Sequence, residues 1–348
     1  MLRQAKNELT LSVKISGKSP LLIKDGREEI AELFKQLKEQ DRERYKDLPA
    51  MVFQSRLSPR QLSEKIPRNL PSLLDNIFVP GSGIRGAWRS HLEKTLRSLD
   101  DEPRVCDPFN GIGDSGEENT SDASKKTRDD AACSRRLANK KDSAPEHPYR
   151  DSCPVCRLFG NTAQGSRIAF GEGKVEGGKP TLIDNNAISR QTGAAISPFK
   201  SLVLLDAVVT TEIQIRNFEL WQAGLLAYLF DDLKAGLVRL GSGKSKGWGR
   251  VKAEVTAMKL TYFGLGDKFA EGKLLGVGEM LSKEKAKEDY GMDQATAPPA
   301  LPAFSPTESS LWRHSVSITE PGVFWDTCKP FFNETVWTGF DVLKKPGA

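Results

Sequence analysis

Residues Glu8 to Ser16 alternate without a break, with Leu9, Leu11, Val13 and Ile15 on one side and Thr10, Ser12 and Lys14 on the other. A period of two describes a strand with one face in a core and one in water. The period returns at Val208 to Arg216, through Val209, Thr211, Ile213 and Ile215, and at Arg250 to Leu260, through Val251, Ala253 and Val255. Arg167 to Val175 is also strand-like. Helical spacing fills the intervals. Arg27 to Tyr45 sets Ile30, Leu33, Phe34 and Leu37 among Lys, Glu and Arg, which predicts a solvent-facing amphipathic helix. Val79-Pro-Gly-Ser-Gly-Ile-Arg-Gly-Ala-Trp-Arg-Ser offers Ser82 as an N-cap, and Ile84, Trp88, Leu92 and Leu96 follow every four residues. Phe218 to Gly236 reads as an apolar helix ended by glycine.

Two segments break this order. Pro49 to Asp75 has no clean period, and its Pro, Arg and Ser content predicts a long loop. Gly111 to Arg150 holds 16 charged residues of balanced sign and almost no large apolar side chain, the composition of a mobile insertion. Without them the order is strand, helix, strand, strand, helix, strand. That is an α+β chain with a ferredoxin-like, RRM-like split βαβ core, whose antiparallel sheet leaves one face open for binding. The core is expected over residues 1–260, with the insertion at about 111–150. Residues 261–348 form a C-terminal extension, Pro-rich around Ala297 to Pro302, with an aromatic patch of Phe324, Trp325, Phe331, Phe332, Trp337 and Phe340. The patch predicts either a second small module or an arm that docks on a neighbouring subunit.

A chain of 348 residues can bury a core without covalent staples. The longest apolar stretch, Ala223 to Phe230, is far too short to span a membrane. Met1-Leu-Arg-Gln runs straight into polar sequence, so the cytoplasm is the expected compartment. The excess of 51 basic over 46 acidic residues is only +5, so a nucleic-acid reading has to rest on where the charges sit.

Five cysteines in such a chain argue against a disulfide framework. Cys153-Pro-Val-Cys156 has the spacing that lets two thiolates reach one tetrahedral zinc, with Cys106 and Cys133 upstream to complete four ligands. His147 is the substitute for Cys133, and a redox-active Cys-x-x-Cys is the rival reading. Cys328, alone in the tail, reads as a buried thiol. The segment Leu240 to Val251 contains Gly243-Lys244-Ser245 but carries Val238 where a P-loop needs glycine, and it follows a helix where a P-loop follows a strand. It is instead a flexible turn with Gly241, Gly243, Gly247 and Gly249. Five basic residues and no acidic one lie between Arg239 and Lys252, so the turn is either a nest for a polyanion or a solvated surface loop. His91, His147 and His314 pair with no visible nucleophile, which removes the commonest general base.

Four segments, taken in order, resemble the RAMP superfamily (repeat-associated mysterious proteins), the backbone subunits of type III CRISPR effector complexes. They are Val79 to Arg89, Leu158-Phe-Gly-Asn with Gly165-Ser-Arg-Ile, Ile188-Ser-Arg-Gln-Thr-Gly-Ala-Ala, and Leu240 to Val251. The likeness covers about residues 8 to 260 and is nearest to subtype D and fused-effector backbone proteins, which share the Cys-Pro-x-Cys-x-Leu-Phe-Gly knuckle. It implies binding of CRISPR RNA and target RNA, assembly with other backbone and effector subunits, and a thumb hairpin around Ala187 to Ala195. In that hairpin Arg190 would hold phosphate while Ile188 and Thr192 wedge beside an unstacked base. Further RNA-contacting candidates are Lys24, Gly81, Ser82, Arg85, Arg89, Gly241, Gly243, Lys244, Lys246, Gly247 and Arg250, with Gly81, Gly83 and Gly86 letting backbone approach RNA. Cleaving relatives place an aspartate in the loop before the Pro-Gly-Ser helix. Here Ala50 occupies that slot, with Asp47 and Asp25 as the nearby acids that could serve an endoribonuclease. The rival readings are therefore an RNA-holding backbone subunit, an endoribonuclease of the same complex, and a zinc-containing RNA-binding protein outside CRISPR systems.

Overall fold

The computed structural model describes residues 4–66, 68–102, 104–107, 132–137, 147–264, 273–290 and 308–341. Most of the expected insertion therefore lies outside the described residues. In chain order the elements are β1 (Asn7–Gly17), α1 (Glu28–Gln40), α2 (Pro59–Lys65), β2 (Phe78–Val79), α3 (Gly81–Arg97), α4 (Cys133–Arg136), α5 (Pro154–Phe159), β3 (Ile168–Phe170), β4 (Gly173–Ile188) and β5 (Ala195–Arg216). They continue with α6 (Leu220–Ala235), β6 (Val251–Phe263), α7 (Lys283–Tyr290), β7 (Glu308–Ser309), β8 (Arg313–Ile318), α8 (Pro321–Cys328) and α9 (Glu334–Thr338). The class is α+β with one large antiparallel sheet. Its strand order is β2-β4-β5-β1-β6-β8-β7, with β3 also on β5. Among the described residues no helix is long and apolar enough to cross a membrane.

The alternation in β1 does what its period requires. Leu9, Leu11, Val13 and Ile15 are buried, and each faces a partner on both neighbours, as Leu11 does with Ile213 and Met258. Onto this face α3 lays its stripe of Ile84, Trp88, Leu92 and Leu96, all buried. Trp88 stands edge-on between Phe170 and Phe230. The opposite face is polar, with Glu8, Thr10, Ser12 and Lys14 beside Arg216, Gln214, Glu212 and Thr210 of β5.

Several boundaries differ from the expectations. Helix α1 stops at Gln40, where the apolar spacing gives out, and buries only Ile30 and Phe34. Ser82 is not the N-cap of α3: Pro80 holds that position and Ser82 lies inside the first turn. The segment expected as loop contains α2, opened by a capping box between Ser58 and Gln61, and a 3-10 turn over Leu70–Asn76. Strand-like sequence at 167–175 is broken at Gly171 and Glu172, and β4 and β5 are much longer than their alternation indicated. Register shifts at Val175/Gly177, Gly177/Lys179 and Asn185/Ala187 interrupt the pattern, because each bulge moves side chains to the other face.

The described aromatic residues of the tail from Phe324 to Phe340 pack within their own chain. Strand β8 pairs with β6 from Met258 opposite Ile318 to Phe263 opposite Arg313. Helix α6 is apolar nearly all round, which requires cover on two sides. The sheet provides one. Trp325, Phe332 and Phe340 provide the other, with Phe340 5.0 Å from Trp221 and Trp325 stacked 4.8 Å from Phe230. Gly224 marks the tightest contact: a Cβ there would stand 2.7 Å from the Phe332 nitrogen and 2.8 Å from the Cys328 carbonyl. Gly224→Ala is therefore expected to destabilise by about 1–2 kcal/mol, overpacking outweighing the helix-propensity gain. Gly86→Ala, where a Cβ meets open space, is expected to be stabilising. Denaturant midpoints of the two variants check the contrast.

Candidate functional site

Two sites emerge. The first gathers Cys106, which follows α3, Cys133 at the start of α4, Cys153 as the N-cap of α5, and Cys156 within it. All four are buried, and their sulfurs lie within 4.8 Å of one another. The Cys106 sulfur is 3.6 Å from that of Cys156 and 3.7 Å from that of Cys153. A disulfide would need about 2.05 Å. Four thiolates bound tetrahedrally at about 2.3 Å stand about 3.8 Å apart, so the donor set could hold a metal ion. Cys133 completes it, and His147 is not needed as a substitute.

Two N–H donors point at the cluster. The Cys153 N–H donates to the Cys133 sulfur at 3.3 Å, and Arg89 donates to the Cys156 sulfur at 3.3 Å. Hydrogen bonds from Cys106, Cys153 and Cys156 hold Cys133 far below the ordinary thiol range, whereas burial raises Cys153 and hydrogen bonds with Cys106 and Cys133 raise Cys156. Burial of every sulfur argues against the redox reading, since an exchanging thiol must be reachable. Cys328 is buried apart from the cluster, and burial pushes its thiol up to about 12. Elemental analysis of the purified protein is expected to find about one metal ion per chain, and Cys153→Ser to release it and lower the melting temperature. Metal-free protein that melts like the variant would remove this site.

The second site lies at the end of the sheet where β1 leaves and β6 enters. Here the glycine turn, residues 18–25, residues 47–56 and the base of the β4–β5 hairpin meet. Ser242 donates its N–H to the Leu22 carbonyl and Gly249 to that of Pro20. Met51 bridges to Ser201, and Lys24, exposed, pairs its backbone with Phe53. Gly243 has φ of +77°, and its α-carbon lies too close to the Trp248 ring for any side chain. Lys246 donates to the side-chain Oδ1 of Asn185 at 2.8 Å and sits over the rings of Phe199 and Trp248. Lys244, Gly247 and Arg250 are exposed. Beyond Leu204, paired with Leu21, the hairpin runs to a tip where Ile188 and Ile196 are exposed, as are Arg190 and Thr192.

Not every candidate reaches this surface. Arg85 donates to the Phe159 carbonyl, and Arg89 donates to Glu93 and to the Gly160 carbonyl as well as to Cys156. Both brace the knuckle. Gly81 is there for packing, since a side chain would strike the Phe170 carbonyl, whereas Gly83 and Gly86 face open space. The open sheet face carries no aromatic ring at the outward positions of β1 and β5 named above, so it offers no stacking platform.

The acids are also engaged. Asp47 pairs with Lys200 at 2.9 Å, and Lys200 reaches Asp184 at 3.6 Å. Ala50 is exposed beside them, donating its N–H to the Lys200 carbonyl. Asp25 is fully buried at its side chain and gripped by Arg27, 2.7 Å away, which also donates to the Ser55 and Leu57 carbonyls. Burial opposes ionisation of Asp25, but Arg27 and the Arg27 and Ser55 N–H groups outweigh it and hold the carboxyl below the usual value. Its stabilisation is thus present above the unfolded carboxyl pKa and lost as pH falls through the lower folded one. Asp25→Asn is expected to cost about 1.5–3 kcal/mol near neutrality and to flatten the acid limb of the stability curve, read by denaturant titration between neutral and acid pH.

Sequence reasoning did not find Lys200, Asn185 or Phe199, because each acts through a partner distant in the chain, nor Arg27, whose grip on Asp25 two residues away is set by its further contacts to Ser55 and Leu57. His91, which pairs with no nucleophile, has its Nε2 2.7 Å from Asp232 across α3 and α6.

A family profile described as the RAMP superfamily matches residues 14–252. No curated protein matches the chain.

Proposed function

This chain belongs to the RAMP superfamily, CRISPR-associated RNA-binding proteins, and from that premise we propose that it is a guide-RNA-holding backbone subunit of a type III interference complex, nearest to subtype D. The observation that carries the proposal is the convergence, at one end of the sheet, of a glycine turn presenting Lys244 and Arg250 with a long hairpin whose tip exposes Ile188. Cations on a pre-set turn bind phosphate without reading sequence. An exposed apolar tip beside Arg190 suits a wedge that parts stacked bases, which is the thumb reading of the hairpin.

The strand order β4-β5-β1-β6, with α3 between β1 and β4 and α6 between β5 and β6, supports a ferredoxin-like split βαβ core. The cysteine cluster is read as a structural zinc knuckle, because four buried thiolates in closed coordination suit zinc. Its ligands Cys106, Cys133, Cys153 and Cys156 would fix α5 against Arg85 and Arg89 of α3. The partners are CRISPR RNA, target RNA and neighbouring subunits, for which Leu311 and Trp312 stand 72% and 67% exposed at the β7–β8 turn.

The role is holding and not cutting. The family's aspartate slot is Ala50, Asp47 is neutralised by Lys200, and Asp25 is locked by Arg27. One carboxylate aimed at a ribose hydroxyl is what such cleavage would need.

Sequencing of RNA that co-purifies is expected to return guides sharing a common repeat-derived end. Replacing Lys244, Lys246 and Arg250 by Ala should weaken binding to all guide sequences alike and reduce the slope of log affinity against log salt by about 0.7 for each phosphate no longer neutralised. An unchanged slope would place the RNA elsewhere.

A further inference from the structure

Among the described residues the exposed large apolar side chains gather mostly in three places. Ile188 and Ile196 sit at the tip of the β4–β5 hairpin, Leu311 and Trp312 at the β7–β8 turn, and Leu99 and Tyr228 at the rim of a cleft between α3, α6 and α9. At the β7–β8 turn, Ser310 donates its N–H to the Arg313 carbonyl at 2.8 Å, which closes a two-residue turn with Leu311 and Trp312 at its apex. Such turns select Gly, Asn or Asp for backbone shape. A leucine and a tryptophan there add nothing to the turn and leave apolar surface in water, the mark of a contact with another molecule. Arg313 follows, exposed; its acidic neighbour Glu308 lies 3.8 Å away and already holds Lys259 at 2.8 Å.

The cleft has the opposite character. It encloses about 710 Å³ over a floor that includes Leu96, Leu225, Leu229 and Trp337, room enough for a bulky apolar group. Asp100, Asp231, Asp232 and Glu334 line it, and no basic side chain does. Arg104, Lys329 and His91 answer the three aspartates from outside the lining. Glu334, exposed at the start of α9, has no cationic partner among the described residues.

We propose that the Leu311–Trp312 tip of one copy of this chain seats in the α3–α6–α9 cleft of a second copy, with Arg313 at the acidic rim. An apolar tip beside a cation meets an apolar floor ringed by carboxylates, and a tryptophan in a pocket is a common interface anchor. The inference rests on the reading of the chain as one subunit among neighbours and names the surfaces that meet. Both the tip and α9 lie beyond the matched residues 14–252, so the C-terminal extension sets this contact. Tip and cleft are different surfaces, so the contact is heterologous and each added copy offers one of each again.

Sedimentation velocity over a range of concentrations, with and without a guide RNA, tests the contact. The parent is expected to form head-to-tail assemblies. Trp312→Ala and Leu99→Lys, both at exposed positions, should melt as the parent does and weaken self-association at least tenfold, while Trp312→Phe keeps it. Mixed in equal amounts, the two defective variants should form a two-chain complex and nothing longer, since only one tip and one cleft remain usable. A parent that stays a single chain under both conditions, or variants that assemble as the parent does, would overturn the proposal. So would a monomeric parent whose Leu99→Lys variant fails to co-purify with a different subunit, which would give the cleft another occupant. If the tip and cleft variants assemble normally while replacing Lys244, Lys246 and Arg250 weakens RNA binding, this contact is wrong and the RNA-holding reading stands. If assembly needs tip and cleft but RNA binding ignores those three residues, the contact stands and the RNA-holding reading fails.

Discussion

Four sulfurs gathered within 4.8 Å are the constraint on which the candidate site's geometry depends. The thiols come from segments up to 50 residues apart, and no apolar packing preference brings polarisable donors edge to edge in this way. Arg89 ties the cluster to α3, and Arg85 ties the same helix to the end of α5. Because Ile84, Trp88, Leu92 and Leu96 seat that helix on the sheet, the cluster is effectively clamped to the central strands.

Helix α6 shows how the C-terminal region joins the same body. A helix with two apolar faces has to be covered twice, and the second cover is the aromatic tail. A second fastening lies deeper. Tyr149 donates to the Glu219 carboxylate at the start of α6, and Arg167 stacks between the rings of Tyr149 and Tyr290, 4.0 Å and 5.0 Å away. The residues after the insertion, the N-terminus of α6 and helix α7 thereby share one buried polar knot.

Local patterns were legible. The alternation of β1 and the stripe of α3 are set by nearest neighbours, and so is the two-residue cysteine spacing, and all three appear where the sequence indicates. What was not legible acts across the chain. Nothing near Arg85 or Arg89 announces that a carbonyl and a sulfur some 70 residues away will take their guanidinium groups. Asp25 looked available because its partner's other contacts, to Ser55 and Leu57, come from a separate loop. The length of β4 was hidden by its own bulges around Gly177. Helix α2 is a different case: its Ser58 and Gln61 capping pair was present in the sequence, masked by the Pro and Arg content around it.

The contact between Lys246 and Asn185 has a mechanical consequence. Asn185 lies on β4 just below the last bulge, held also by Ser201 on the opposing strand, and the Lys246 ammonium rests on Phe199 of that same strand. Turn and hairpin are thus latched together at the hairpin's root. The latch engages both strands at a point where the ladder is already bent, so the position of the turn and the direction of the hairpin beyond it are set by one another.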